Sequence, residues 1–463
     1  MEFINKTGNT LYLTDLDIDI PYLEDETPQN ISLDDVKRSK SFRKMLHINS
    51  FVITKHGNSI FERNLVRIQK ETGQMLDSIH DAVKPMNQGP PPPLEIKLRG
   101  HMYEAGGYAK VNRNLAKGLS DLGLRVQLDP LNKRNNQLTE EELRELHKID
   151  TGVSRDAIII DSMIPTLSNS GMGKNKVLYT TVEAATVPKQ FIEIAHNYNE
   201  IWVTSDFCKE VLIKAGLKKP IYVVPDSIDT DLYHEDYIPY QFNPSLNDFV
   251  FVSVFGWGYR KGYDVLLKSY LKEFTANDPV SLLIISRNNW STNKTVIKDT
   301  INTFIKNYGG DNPPHIARCE RVIPEKEMPS IYKACHAYVG FSRGEGFGLT
   351  PCEASLCGLP VIATNFSGHT MFLNKDNSYL VDIDRLTKIQ PGTMQVHYWD
   401  NQEFPSLTDD KVINDASTAM RYVFENYPYA KLKNKKLQKF IADNYNIESV
   451  CKLAKSLLEN KWR

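Results

Sequence analysis

The sequence has no apolar run of roughly 18 residues or more, so no segment is expected to span a membrane. Charge excess is also missing: 56 Lys and Arg stand against 57 Asp and Glu, a net charge of −1. That balance argues against nucleic-acid binding by bulk phosphate attraction. Cysteine is scarce, with six in 463 residues, and Cys208, Cys319, Cys335, Cys352, Cys357 and Cys451 form no CxxC pair. No histidine stands at metal-ligand spacing beside them, and no metal site is expected. They are predicted to be reduced thiols in a cytoplasmic compartment, mostly packed in the interior. The opening MEFINKTGNT lacks a charged start followed by an apolar stretch, so export is not expected. The sequons at Asn5, Asn30, Asn293 and Asn365 are then read as chance, and peripheral membrane contact is left open.

What is present is too long for one core, so two or three domains are expected. The clearest boundary is Gly89-Pro90-Pro91-Pro92-Pro93, where four prolines favour a stiff extended spacer. Residues 1–88 read as an accessory module, 89–93 as linker, 94–240 and 241–445 as two α/β domains, and 446–463 as a terminal helix packing back on the first of these. The module opens with strand-like alternation through Leu11, Leu13, Leu16, Ile18 and Ile20. Short strands near Ser50–Thr54 and Asn58–Phe61 and a helix from Leu65 to Ala82 are expected after it. Asp15, Asp17 and Asp19 alternate and would share one strand face, where a solvated surface is favoured over a metal site. Self-association is the favoured role for the module, making a homo-oligomer the expected assembly.

After the prolines, strands and helices alternate. Glu95–Leu98, Arg125–Leu128, Ala157–Ile160, Lys176–Tyr179, Glu200–Val203 and Ile221–Val224 read as strands, with a helix at Val111–Leu122. A second series, Phe249–Val254, Ser281–Ile285, Ala337–Gly340 and Pro360–Thr364, follows the loop-like Tyr237–Asn247. Two parallel sheets with covered faces are predicted, with ligands beyond the carboxyl ends of their strands.

Three segments carry candidate chemistry. Ser342-Arg343-Gly344-Glu345-Gly346-Phe347-Gly348-Leu349-Thr350-Pro351-Cys352-Glu353 follows a strand and opens a helix. Thr350 reads as its N-cap and Pro351 as its first residue, and the nearby amides offer a seat for phosphate. Glu353 equally fits a capping box with Thr350, a purely structural role. The second segment, Phe255-Gly256-Trp257-Gly258-Tyr259-Arg260-Lys261-Gly262, supplies a cation pair suited to stabilising a departing diphosphate. Taken alone, a solvated turn is the favoured reading of such a pair. The third, Glu104-Ala105-Gly106-Gly107-Tyr108-Ala109, links strand to helix and carries a weak glycine-loop signal.

Glu345 and Glu353 stand eight apart inside Gly-Glu-Gly-Phe-Gly-Leu, and this pattern resembles the signature of retaining glycosyltransferases of family 4, the glycosyl transferases group 1. The stretch Glu353 to Thr364 and Phe366-Ser367-Gly368-His369-Thr370 resemble the same family. The resemblance is dense over residues 252–381, thin over 94–235 and absent before. It implies a GT-B fold, two Rossmann-like domains facing across a cleft, here beside a small N-terminal α+β module. It further implies metal-independent transfer, with retention, of a sugar from a nucleotide-sugar donor, UDP- or GDP-linked, with no other cofactor. The acceptor may be glycan, lipid or protein, and no nucleic acid is involved. By that resemblance Glu345 contacts donor-sugar hydroxyls and Glu353 the ribose. The amides of Gly348, Leu349 and Thr350 face the diphosphate, and Gly106, Gly107, Ser367, Gly368 and His369 complete the donor site. Arg260 and Lys261 grip the diphosphate. Trp257 stands where the family has an arginine, and Ser227 where the Pro225–Asp229 turn has a glycine. Relatives place a histidine in the cleft; Glu183 is its expected substitute. Two rivals remain. One is a catalytically degenerate GT-B binding protein, and the other a GT-B phosphorylase or epimerase, of which the phosphorylase would need a pyridoxal-anchoring lysine for which no sequence context appears.

Overall fold

A computed structural model describes residues 92–133, 137–165, 174–288, 293–394 and 397–462, together with the backbone of six short strands before residue 60. The chain divides into two compact units, Met1–Pro92 and Pro93–Arg463.

In the first unit, β1 (Glu2–Asn5) lies between β4 (Gln29–Asn30) and β5 (Phe51–Lys55), and β6 (Asn58–Ser59) pairs with β5. β2 (Leu11–Leu13) and β3 (Ile18–Ile20) form an antiparallel hairpin in which Leu13 opposes Ile18. The alternation from Leu11 to Ile20 is therefore two strands rather than one. The argument that put Asp15, Asp17 and Asp19 on one strand face fails accordingly. Asp19 belongs to β3, while Asp15 and Asp17 lie outside the described residues, as does the expected helix from Leu65 to Ala82.

The second unit holds two six-stranded parallel sheets. The first comprises β7 (Glu95–Gly100), β8 (Arg125–Pro130), β9 (Ile158–Ser162), β10 (Lys176–Thr180), β11 (Glu200–Val203) and β12 (Ile221–Val223), in the order β12-β11-β10-β9-β7-β8. The second comprises β13 (Phe249–Gly256), β14 (Val280–Arg287), β15 (His315–Cys319), β16 (Ala337–Gly340), β17 (Val361–Thr364) and β18 (Tyr379–Val381), in the order β15-β14-β13-β16-β17-β18. Runs such as Phe249-Val250-Phe251-Val252 and Leu282-Leu283-Ile284-Ile285 are buried on both faces, as central parallel strands require. β15 and β18, both absent from the sequence expectation, are edge strands; β15 reads His-Ile-Ala-Arg-Cys and is half exposed. In each sheet the order reverses beside one strand, between β7 and β9 and between β13 and β16, and the loops that leave these reversals open on one cleft.

Two additions complete the unit. Helix α11 (Ile447–Trp462) returns to the first half and packs on α1 (Gly107–Asp121), burying Val450, Cys451, Ala454 and Leu458. Gly118 makes the approach possible, since a Cβ there would stand 2.3 Å from Cys451 Sγ. The hairpin β19 (Leu386–Lys388) and β20 (Glu403–Pro405), unforeseen in the sequence, reaches the other way. Ala185 N donates to Glu403 O at 2.8 Å, and Ala184 joins Ile389, Met394, Trp399 and Phe404 in a small apolar cluster. Five cysteines are buried and Cys319 is half-buried, all as free thiols.

Leu458 is fully buried in the first-half core although it lies near the end of the chain's last helix. Leu458→Ala is expected to lower stability by about 2–5 kcal/mol in denaturant unfolding. A loss below about 0.5 kcal/mol, the range of surface substitutions, would show that α11 does not complete that core.

Candidate active site

The cleft between the two sheets has a volume of about 820 Å³ and is lined by residues of both halves. From the second half, β13 runs into a single 3-10 turn, Tyr259–Lys261, closed by Gly262 in the left-handed region at φ 68°. A Cβ on Gly262 would stand 1.7 Å from Phe341 O, so only glycine lets this turn lie against the end of β16. Trp257 lines the cleft. It is 4% exposed and stacks on Phe255 and Tyr263, with ring centroids at 5.8 and 4.5 Å. Arg260 and Lys261 both reach the cleft.

The loop after β16 brings Glu345 to meet them. Lys261 Nζ donates to both carboxylate oxygens at 2.7 Å, and Arg260 Nη1 stands 3.7 Å from Oε2. Burial alone would raise the Glu345 carboxyl, but Lys261 and Arg260 outweigh it and hold the group down at about 2. Lys261 is itself pushed down by burial and by the neighbouring Arg260 charge, against the pull of Glu345 and Glu183. Both directions follow from two cations sharing one carboxylate. Arg260 is steered further by Gly344 O at 2.6 Å and by Glu183, whose Oε1 lies 3.0 Å away. Burial lifts Glu183 above the ordinary carboxylate range, with Arg260 and Lys261 opposing.

The glycines of this loop serve the contact between halves more than an approach to ligand. A Cβ on Gly344 would stand 1.8 Å from Glu183 O, and one on Gly346 would stand 1.5 Å from Thr181 Oγ1. Thr204 Oγ1 donates to Gly346 O at 2.9 Å. Behind the loop, Ser367 adopts φ 73° and its hydroxyl accepts from Glu345 N at 2.9 Å, while Gly368 N donates to Glu345 O at 2.9 Å. The ring of His369 bonds Thr364 O at 2.6 Å through Nε2, and burial pushes its pKa down, so the neutral ring donates there. Ser367, Gly368 and His369 thus stand in the layer that supports Glu345 rather than among the residues lining the cleft.

Helix α8 (Leu349–Leu356) corrects two expectations. Its N-cap is Gly348, at φ 111°, and not Thr350, whose hydroxyl instead lies 2.7 Å from Tyr338 Oη. Glu353 makes no capping box. Its Oε1 accepts from Lys110 Nζ at 2.6 Å and its Oε2 from Tyr332 Oη at 3.1 Å. Lys110 comes from α1 in the other half and also reaches Glu325 at 2.7 Å and Tyr233 Oη at 2.9 Å. Burial would lower Lys110, but Glu353, Tyr233 and Glu325 raise it well above its usual value. The local capping pattern loses to a buried ion pair across the cleft. The first-turn amides at Gly348, Leu349 and Thr350 lack intrahelical partners by construction and open on the cleft. Gly106, the N-cap of α1, and Gly107 line the same space from the first half.

Two positioning residues escaped the sequence reading: Lys110 and Arg343. Arg343 is 1% exposed; its guanidinium forms two 2.8 Å bonds to Asp264, donates to Tyr259 O at 2.7 Å and lies over the Tyr259 ring. It ties the Arg260–Lys261 turn to the Glu345 loop. Its only sequence signal was a basic residue between a strand and two glycines. In the first half, burial raises the Asp226 carboxyl to about 7 against a hydrogen bond from Tyr179 Oη at 3.2 Å. Ser227, in the glycine position, is buried and its carbonyl accepts from Asn114.

Two outcomes follow from these pairings. Arg343→Met leaves Asp264 buried without its partner and should cost about 3–5 kcal/mol in unfolding, with Asp264→Leu on the same chain restoring part of it. No recovery in the double variant would place the cost in packing instead. A raised carboxyl pKa favours the folded state only while protonated, so the stability Asp226 supplies is lost as pH rises through about 7. The advantage of Asp226→Asn over the wild type in thermal melts should therefore widen from pH 4 to 7 and level off above. A gap that is flat with pH would contradict the assignment.

Residues 247–389 match the family model described as Glycosyl transferases group 1. Over 95 residues the chain is 34% identical to the D-inositol 3-phosphate glycosyltransferase of Jonesia denitrificans, a match covering 20% of this chain and only 22% of that protein's length. The solved structure of Anabaena Alr3699/HepE in complex with UDP-glucose aligns at a TM-score of 0.56 and 14% identity, over 79% of this chain and 100% of that one. The glycosyltransferase of Rickettsia africae ESF-5 aligns at 0.57 and 14% identity, over 80% and 98%. Sucrose-phosphate synthase from Thermosynechococcus elongatus aligns at 0.55 and 15% identity, over 79% and 98%. Identities this low speak to fold. With the two facing parallel sheets they make residues 93–463 a GT-B body, and the segment 247–389, which holds Arg260, Lys261, Glu345 and Glu353, is the part similar to the group 1 glycosyltransferases.

Proposed function

We propose that the protein transfers a sugar from a nucleotide-sugar donor to an acceptor hydroxyl with retention of anomeric configuration and without a metal. The observation that carries this is the Lys261–Glu345–Arg260 cluster facing the N-terminus of α8 across one cleft. An ionised carboxylate suits acceptance of hydrogen bonds from sugar hydroxyls, and two cations beside unpaired helix amides suit a diphosphate. A diphosphate entering beside Arg260 and Lys261 competes with Glu345 for both, which turns the Glu345 oxygens toward the sugar.

In the step itself the bond from the anomeric carbon to the diphosphate oxygen breaks, and its electron pair stays on that oxygen. The acceptor oxygen forms the new bond on the same face, and its proton passes to the departing diphosphate oxygen. The protein's part is to hold the growing charge at Arg260, Lys261 and the amides of Gly348, Leu349 and Thr350. Glu353 is placed for the ribose once it shares Lys110 and Tyr332 with the incoming hydroxyls. Of the expected UDP- and GDP-linked donors, UDP-glucose is the first choice, because Alr3699/HepE was solved with it. The inositol phosphate in the name of the Jonesia protein is not carried over, since the match to it is short.

The test is nucleotide release from UDP-, GDP- and ADP-sugars in EDTA. Release from one donor is expected, falling about 100-fold or more in Glu345→Gln, the order seen when one charged transition-state contact is lost. Nucleotide binding without release, with or without a panel of acceptors, would assign the protein to the binding-only class instead.

A further inference from the structure

Lys110 belongs to the first half but ends on carboxylates of the second. It projects from near the start of α1, is buried, and meets Glu353 at 2.6 Å and Glu325 at 2.7 Å with the same ammonium. Arg113, on the same helix, stands 3.4 Å from the other oxygen of Glu325. Tyr233 Oη accepts a bond from Lys110 at 2.9 Å, and the ammonium lies 4.2 Å from the centre of the same ring. Among the described residues, Lys110 is the cation paired with Glu353.

A buried charge network is a poor way to gain stability. Apolar side chains of similar volume often hold a fold as well or better, because the desolvation of each charge is not fully returned. Its place argues for use instead: Lys110, Tyr233, Glu325 and Glu353 all line the cleft. Glu353 receives one bond on each oxygen, from Lys110 and from Tyr332, and its side chain remains 7% exposed. An ionised carboxylate offers about four acceptor sites, so about half of its capacity is left. Two free sites on one fixed carboxylate match two neighbouring hydroxyls, which a ribose supplies at its 2′ and 3′ positions. Without Lys110 the carboxylate loses the charge that holds it, and Glu325, which shares the same ammonium, would repel it.

We propose that Lys110 is a positioning residue for nucleotide recognition: from the first half it sets the Glu353 carboxylate, and through that carboxylate the protein tells a ribonucleotide from its 2′-deoxy form. This rests on the placing of Glu353 at the ribose under the transferase reading above. Recognition of the nucleotide is then a property of both halves, although the diphosphate cations Arg260 and Lys261 lie in the second alone.

Calorimetry of the full chain with UDP, GDP and ADP finds the nucleoside diphosphate that binds, and the titration is repeated with its 2′-deoxy form. The wild type is expected to bind the ribose form about 10-fold or more tighter, the loss of one hydrogen bond to a charged acceptor. Lys110→Met should shrink that ratio below about threefold, and Lys110→Arg should restore part of it. The ratio of two ligands on one folded protein is not moved by a general loss of stability. The double variant Lys110→Met, Glu325→Gln, in which one carboxylate charge leaves with the cation, should give the same small ratio even where the single variant folds poorly. Lys326→Ala breaks another ion pair between the halves, the exposed one with Glu141, and should leave the ratio unchanged. A wild-type ratio below about twofold, or a ratio that survives in Lys110→Met and in the double variant, overturns the assignment and leaves the transferase reading standing. An equal collapse in Lys326→Ala also overturns it, by placing the effect in the general contact between halves. The transferase reading fails separately if the ratio behaves as expected in a protein that releases nucleotide from no sugar donor. If none of the three nucleotides binds, both fall.

Discussion

The cleft depends on two backbones touching where side chains would ordinarily stand between them. Gly344 and Gly346 lie so close to Glu183 O and Thr181 that a single Cβ at either would collide with the other half. That proximity sets the distances over which every charge in the site acts. Arg260 spans from Glu345 in its own half to Glu183 in the other only because the two loops are in contact. Lys110 likewise reaches Glu353 from across the divide. An alanine at Gly346 would push these loops apart by at least the missing contact, and cation–carboxylate bonds that hold at 2.6–3.0 Å weaken steeply with added separation. The glycines are therefore electrostatic residues at one remove.

Charge neutrality inside the cleft comes next. Arg260 and Lys261 face Glu345 and Glu183, while Lys110 and Arg113 face Glu353 and Glu325. In these two groups each cation has a carboxylate beside it, in a confined space where an isolated charge would be costly. The two groups are held differently. Glu345 is held ionised by Lys261 and Arg260 and lies on a loop between glycines. Glu353 is locked into a helix and bound by Lys110 and Tyr332 together, which makes it the more rigid reference point.

Much of this was legible in the sequence where the chemistry was local. The eight-residue spacing of Glu345 and Glu353, the Arg260–Lys261 pair before a glycine, and the strand–loop–helix context of each lie within short windows. What lies far apart in the chain was not. Lys110 sits 243 positions from Glu353, and nothing in Tyr-Ala-Lys-Val marks it as anything but a helical lysine. The capping box failed for the same reason: Thr350-Pro351-Cys352-Glu353 satisfies a local rule, and an ion pair from another domain overrode it. Arg343 and Asp264, 79 positions apart, were equally silent. The β19–β20 hairpin was missed because its strands are three residues each, with β19 exposed, too short for any periodicity to declare itself.

Trp257 illustrates how a departure from a family pattern is absorbed by local packing. A tryptophan in place of a phosphate-binding arginine suggests a lost contact, and that was the best sequence argument for a degenerate protein. The indole is drawn into the stack between Phe255 and Tyr263 and is 4% exposed, at a position that still lines the cleft. The turn that follows then projects Arg260 toward both carboxylates, and Arg343 clamps it there through Tyr259 O. The aromatic stack, together with the buried Arg343–Asp264 pair, fixes the turn that carries Arg260.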